Sequence, residues 1–445
     1  MSQPRATART VPGGGLWRKP LPADPDAVAA DAVRRMERYT GAAFARLLRF
    51  MGMVTLEWEA AGAVVRDVHG DEYIDCGGYG MFFHGHSHPR VVEAVRRQAG
   101  ELAQSTRLLS HLPQAELAER LAEVCPGELR YSFFCNSGAE AVEGALKLAR
   151  AATGRSGIIA AEDAFHGKTM GALSATGKAQ YQDPFRPLVP GFRHVPFGDE
   201  AALAAAAAEA AQAPGGLAAV LLEPIQGEAG VVLPPPGYLA AARRLCDRHG
   251  ALLIFDEVQC GIGRTGAMFV CGQEGVDPDI LATAKSLGGG VMPLGAFTAT
   301  PAAWRPFDDA PFLHTSTFGG SPLACAAGLA ALEAIAQEGL LQRAQSLGRR
   351  LETGLREIGR RHSAVVAEVR GRGLFWGLDL RSEGAGGMVL NELLASGVLV
   401  VYSLNRPRVI RVMPPAVATE AQIDFVLEMV DRAAATAAAA APDLL

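Results

Sequence analysis

A chain of 445 residues is too long for one small core and predicts two or three packed units. Its formal net charge of -5 argues against a nucleic-acid binder, which would show a basic face, and no apolar run reaches the roughly 20 residues that a membrane span requires. Seven cysteines, odd in number and without metal-ligand spacing, give no metal site and read as small buried hydrophobes of a reducing cytoplasm.

The first stretch, "MSQPRATARTVPGGGLWRKPLPADP", is basic and rich in Pro and Gly but has no apolar h-region, so it is not a secretory signal. It reads as a disordered or loosely draped tail, with a transit peptide as the alternative. Tail and helix together take residues 1–50. "VTLEWEAAGAVVRDVHGDEYIDC" (54–76) alternates apolar and polar around Gly-Asp turn chemistry and predicts a small antiparallel meander, within a unit spanning 51–90. From there the rhythm changes. Seven short apolar runs, "RYSFFC" (130–135), "GIIAA" (157–161), "FRHVP" (192–196), "AAVLLEP" (218–224), "ALLIFD" (251–256), "DILATA" (279–284) and "LGAFTAT" (294–300), alternate with Ala-rich helical stretches. That pattern predicts an α/β unit over 91–340 with a mostly parallel sheet covered on both faces. Ligands of such sheets bind beyond the carboxyl ends of the strands, so a polar residue ending any run is a candidate. Helices dominate 320–362. The strands "VVAEVRGRGLFWGLDL" (365–380), "VLVVYS" (398–403) and "RVIRVMPP" (408–415) and a helix near 419–440 then predict a smaller α+β unit, its C-terminal part over 341–445, packed with the N-terminal meander.

Gly261-Ile262-Gly263-Arg264-Thr265-Gly266 fits the dinucleotide fingerprint letter for letter, but its context fails. A Rossmann loop opens a helix and meets an acid some twenty residues on, whereas "AMFVCGQEGVDPDIL" is broken by Gly272, Gly275 and Pro278 and supplies no such acid. The strand upstream is more informative. "ALLIFD" ends on Asp256, either a loop or capping acid or a buried carboxylate awaiting a cation. The next run ends at Lys285, before Ser286-Leu287-Gly288-Gly289-Gly290. Lysine is scarce here: among 42 Lys and Arg only positions 19, 147, 168, 178 and 285 are Lys, so a Lys at a strand's carboxyl end suggests an amine that can lose its proton. Lys beneath a ligand, with an Asp for a ring nitrogen, is what pyridoxal phosphate needs. "FFCNSGAEAVEGALKLAR" offers a phosphate cradle at Ser137, Gly138 and Ala139, or only a capping box of Ser137 and Glu140. Phe165 and His166 follow a strand, where an aromatic stacks on a pyridine ring or packs in the core. Glu223 ends another strand ahead of Gln226 and Glu228; Thr315, Ser316 and Thr317 precede a Gly-Gly turn; Arg411 sits in mid-strand, where a charge demands a partner.

Taken together and in order, "NSGAEAVEGALKLAR", "FHGKT", "EPIQGEAG", "DEVQCGIGRTG", "AKSLGGG", "STFGG" and "RVMPP" resemble the class III (ω-type) pyridoxal-phosphate aminotransferases of fold type I, over about residues 50 to 435. "SFFCNSG", "FHGKTMGALSATGK", "PGFRHVPFG", "LPPPGYL", "GGGVMPLGA" and "FLHTSTFGGSPLACAA" are most similar to the putrescine (diamine) aminotransferases within it.

The resemblance implies that Lys285 bonds the cofactor covalently and shuttles the proton between substrate Cα and cofactor C4′, while Asp256 keeps the pyridine nitrogen protonated. It implies Val258 and Phe165 on the two ring faces with His166 alongside, Gln259 near the ring hydroxyl, Glu223 in the cofactor site, Ser137, Gly138 and Ala139 on the phosphate, and Thr317 reaching that phosphate from the neighbouring subunit. A homodimer, or a dimer of dimers, in the cytoplasm is therefore expected, without nucleic acid, membrane or metal. Glu228 and Arg411 resemble a gate pair, the acid neutralising the arginine for an amine donor and swinging aside for the carboxylate of a 2-oxo acid. Tyr79 and Lys168 complete the expected substrate site. Lys168 stands where many relatives have Arg, and Ser321 where Asn is usual. The activity implied is transfer of a terminal amino group from a diamine such as putrescine to 2-oxoglutarate. A pathway-specific ω-aminotransferase, an enzyme of ornithine, acetylornithine, lysine or 4-aminobutyrate type, a decarboxylase and an aminomutase are the alternatives.

Overall fold

The computed structural model describes residues 8–43, 46 and 55–440. Each of the seven apolar runs becomes a strand: β4 (Tyr131–Cys135), β5 (Gly157–Ala161), β6 (Phe192–Val195), β7 (Leu217–Leu222), β8 (Leu252–Asp256), β9 (Ile280–Thr283) and β10 (Gly295–Ala299). They form one sheet in the order β4-β10-β9-β8-β7-β5-β6. β7 is buried at every position, as expected of a strand covered on both faces. Helix Gly138–Thr153 crosses β9 and β10 closely enough that a Cβ at Gly144 would overlap the Phe297 ring.

One strand departs from the parallel expectation. β10 runs antiparallel to both β9 and β4. The segment between β9 and β10 holds only a short 3-10 turn, Lys285–Gly288, and no crossover helix that a parallel return would need. The reversal puts the start of β10 at the end of the sheet where β4 and β9 finish, with Gly295 opposite Cys135 and Ala296 opposite Thr283.

The chain's two ends knit together. β1 (Glu57–Ala61), β2 (Val64–Asp67) and β3 (Glu72–Asp75) form the expected meander, and β13 (Val398–Leu399) joins β3 in parallel. Val54, the first residue assigned to that meander, lies outside the described residues. β11 (Val366–Arg372), β12 (Phe375–Leu380), β15 (Arg406–Val412) and β14 (Val401–Ser403) make a third sheet. This is the α/β architecture of fold type I: a mostly parallel seven-stranded sheet and a smaller α+β part drawn from both chain ends.

The described part of the N-terminal tail is held rather than loose. Val11 is buried, the Arg9 amide donates to Asp71 Oδ1 at 2.7 Å, and the Trp17 indole donates to Glu72 Oε1 at 2.6 Å. All seven cysteines are free thiols, six of them buried. No single described helix is long and apolar enough to cross a membrane.

Candidate active site

Where the strands of the large sheet stop, polar groups gather. β4 runs into Asn136–Ala139, β5 into the loop carrying Phe165 and His166, and β7 into Glu223; β8 ends on Asp256, and β9 is followed by Lys285. They line one cavity of about 510 Å³ with Tyr79, Met81, Glu228, Val258, Gln259 and the 290–294 segment.

Asp256 is buried and both its oxygens are engaged. Oδ2 lies 2.8 Å from His166 Nδ1, and Oδ1 accepts the Val258 amide at 3.0 Å. This fixes the carboxylate plane while leaving lone pairs for one further donor. The adjacent Glu257 acts structurally. Fully buried, it accepts the Val270 and Cys271 amides at 2.7 Å each and ties the glycine loop to a short helix.

Lys285 opens its turn with φ +50°, a left-handed conformation uncommon outside glycine. Among the described residues no acceptor holds its amine. Burial pushes the amine below its ordinary value, with Glu228 the strongest opposing influence. Burial likewise raises the Glu223 carboxyl to about 7, against the pull of His166. Glu223 accepts the Phe165 amide at 2.9 Å and the Gly227 amide at 3.0 Å, so it fixes two loops that border the cavity.

At the start of helix Gly138–Thr153 the capping reading holds in part. Ser137 Oγ accepts the Glu140 amide at 3.2 Å, but Glu140 reaches back to the Asn136 amide at 2.5 Å instead of closing the box on Ser137. The Gly138 and Ala139 amides, among the described residues, have no acceptor and belong to residues that line the cavity. These orphan donors at a helix N-terminus fit a phosphate. A Cβ on Gly138 would lie 2.7 Å from Val258 Cγ1, so glycine lets the cradle approach the ring-facing side chain. Phosphate donors, a fixed carboxylate, an unheld amine and the Phe165 and Val258 side chains in one cavity match pyridoxal phosphate part for part.

Beyond Glu228 lies Arg411, fully buried. Its Nη1 donates to Glu228 Oε1 at 2.6 Å and to Gln259 Oε1 at 3.2 Å, and Nη2 donates to the Tyr402 carbonyl at 3.3 Å. Its Nε is buried with no partner. Two expected residues lie elsewhere in this chain. Lys168 is exposed, its ammonium 4.6 Å from the Tyr181 ring centroid, and Thr317 is exposed outside the cavity lining.

Other lining residues carried no separate signal. Val291–Leu294 reach the cavity only because β10 is reversed, and Met81 through the Gly78–Gly80 turn, where Tyr79 holds φ +49°. Arg264 of the glycine loop is buried and donates to the carbonyls of Pro414 at 2.7 Å and Gly80 at 3.2 Å; Ser286 Oγ also donates to Gly80 at 3.0 Å. The loop that mimics a dinucleotide fingerprint thus braces the cavity rim.

The family model for aminotransferase class-III matches residues 51–434. The ornithine aminotransferase of Toxoplasma gondii ME49 is 32% identical, covering 92% of this chain and 95% of its own, with a TM-score of 0.84. A second structure of that enzyme is described with partial occupancy of PLP at the active site. An engineered thermostable omega transaminase is 27% identical over 92% of this chain and 100% of its own, and a transaminase from the marine bacterium Virgibacillus 26% identical over 93% and 99%, each with a TM-score of 0.84. With its motifs gathered in one cavity and the family model spanning nearly all of its length, this chain belongs to the class-III aminotransferases, which are pyridoxal-phosphate-dependent transaminases.

Proposed function

We propose that the amine donor is a terminal amine without an α-carboxylate, a diamine such as putrescine, and that the acceptor is 2-oxoglutarate. The products are then an aminoaldehyde and glutamate. The Glu228–Arg411 pair carries this reading. Arg411 is a guanidinium able to hold an α-carboxylate, and the cavity-lining Glu228 neutralises it at 2.6 Å, so the resting site suits a donor that brings none. The unpartnered Nε of Arg411 supports the second role, an open donor for the oxo-acid carboxylate once Glu228 turns away.

Bound pyridoxal phosphate supplies an electron sink and a carbonyl carbon that stores the amino group between half-reactions. In this reading the Gly138 and Ala139 amides and Ser137 hold its phosphate, Asp256 accepts the ring N–H, and Val258 and Phe165 enclose the ring, with Gln259 near its hydroxyl. His166 fixes Asp256, and Glu223 fixes the Phe165 loop. Lys285, its amine biased toward the neutral form, would act as the base that takes the proton from the donor Cα and as the acid that gives it back. Tyr79 and Met81 border the donor's path, and Lys168 attracts the acid from the surface. Thr317 serves the site of a second copy, making a homodimer the working unit.

Tyr79 at the cavity and the 32% identity to an ornithine aminotransferase favour a second reading, a donor with its own distal α-carboxylate. A donor panel (putrescine, cadaverine, ornithine, lysine, 4-aminobutyrate, β-alanine) against 2-oxoglutarate and pyruvate separates the two. Putrescine or cadaverine should give the highest kcat/KM, and a clear preference for ornithine would replace the diamine reading. Lys285→Ala, which should lose the visible absorbance of the loaded enzyme, is the inactive control.

A further inference from the structure

The Glu228 carboxylate uses both of its oxygens. Oε1 takes Arg411, and Oε2 accepts the backbone amide of Leu404 at 2.9 Å. Leu404 lies between β14 and β15, in a turn pinned from four sides. The Asn405 amide donates to the Glu228 carbonyl at 3.0 Å, and Asn405 Nδ2 to the Asp163 carbonyl at 2.6 Å. The Tyr181 hydroxyl donates to the Leu404 carbonyl at 3.1 Å, and Lys178 Nζ to the Asn405 carbonyl at 3.2 Å. Asn405 itself is buried. The turn therefore holds the Glu228 backbone still and presents one N–H to its side chain.

The two donors are not equivalent when Glu228 swings. Arg411 keeps the Gln259 and Tyr402 oxygens, but among the described residues the Leu404 amide has no other acceptor. Opening the gate must strip that N–H, which costs more than exchanging one arginine partner for another.

We propose that the Leu404 amide, positioned by Asn405, Tyr181 and Lys178, is a latch that biases the Glu228–Arg411 gate shut and so sets the selectivity between amine and 2-oxo acid. The latch rests on the gate reading above. A 2-oxo acid binds only the open state, so its apparent affinity is reduced by the fraction of enzyme that is open, whereas an amine without a carboxylate is spared that loss.

The test replaces Leu404 by its α-hydroxy analogue, which exchanges the N–H for an ester oxygen and leaves the side chain intact. Asn405→Ala and Tyr181→Phe provide graded loosening should the ester fold poorly. With loaded enzyme, KM for 2-oxoglutarate should fall several-fold, up to about tenfold, the range for the net contribution of a typical hydrogen bond. KM for putrescine and kcat of its half-reaction should stay within about twofold. Calorimetric binding of glutarate, an unreactive dicarboxylate, should tighten by the same factor. A merely structural role would raise both KM values. An oxo-acid KM that is unchanged or raised overturns the latch, the first outcome meaning that the substrate carboxylate takes over the amide. Arg411→Gln separates the two levels: it should raise KM for the oxo acid alone, and an equal rise for both substrates would overturn the gate and the latch with it.

Discussion

Five lysines stood out against an arginine-rich background, and their surroundings sort them. Lys19 lies 3.3 Å from the Trp58 ring centroid and Lys168 over Tyr181; Lys147 meets His314 at 2.8 Å and Lys178 meets Asp163 at 2.8 Å. Only Lys285 projects an unheld amine into the cavity, and burial there favours its neutral form. The direction of the consequence is fixed. An amine with a lowered pKa is deprotonated at lower pH than an exposed lysine, so its nucleophilic fraction saturates earlier as pH rises. Covalent capture of pyridoxal by the cofactor-free protein, trapped with borohydride and followed by mass, should titrate with a midpoint below the ordinary 10.5. A midpoint at or above that value would remove desolvation as the activating influence.

At the scale of elements, the junction of β4 with helix Gly138–Thr153 concentrates the phosphate chemistry. Its first amides, those of Gly138 and Ala139, are free because a helix cannot satisfy them internally, while Ser137 Oγ caps the Glu140 amide and the Glu140 carboxylate accepts the Asn136 amide just ahead of the helix. Gly138 is needed there for space: its built Cβ meets Val258, the residue read as packing under the ring. Gly138→Ala should weaken cofactor retention by roughly tenfold or more, in keeping with the ~1–3 kcal/mol that overpacking costs, while the helix remains intact. Equilibrium dialysis of cofactor beside a thermal melt checks this; unchanged retention would move the phosphate elsewhere. The capping pattern was legible from sequence because it is local. β10 was legible as a strand but not as a reversed one, since direction depends on what joins it to β9 and where that link can lie.

For the whole molecule, Thr317 is exposed in a segment with Phe312, Leu313 and Phe318 also exposed, outside this chain's own cavity. Apolar side chains gathered in one exposed segment suit burial against a partner, here a second copy. If Thr317 completes the partner's phosphate site, Lys285→Ala and Thr317→Ala chains should complement each other. In a mixed dimer one site lacks both groups and the other lacks neither, so activity should rise on mixing the inactive Lys285→Ala protein with the weakened Thr317→Ala protein. No recovery, with exchange of chains verified by mass, would refute the shared site.

What the sequence determined by itself was local. Apolar runs ending in a polar residue marked the strands and placed Asp256 and Lys285 at their carboxyl ends, because periodicity and its interruption are properties of neighbouring residues. The failure of the glycine loop to open a helix was equally local. The gate pair was known only through resemblance. Tertiary structure decided the rest: Glu228 meets Arg411 across 183 positions and Leu404 across 176, and the 290–294 segment lines the cavity through a reversed strand. Such pairings leave no periodic trace, since they depend on the folding of distant segments onto one sheet edge and not on the spacing of residues along the chain.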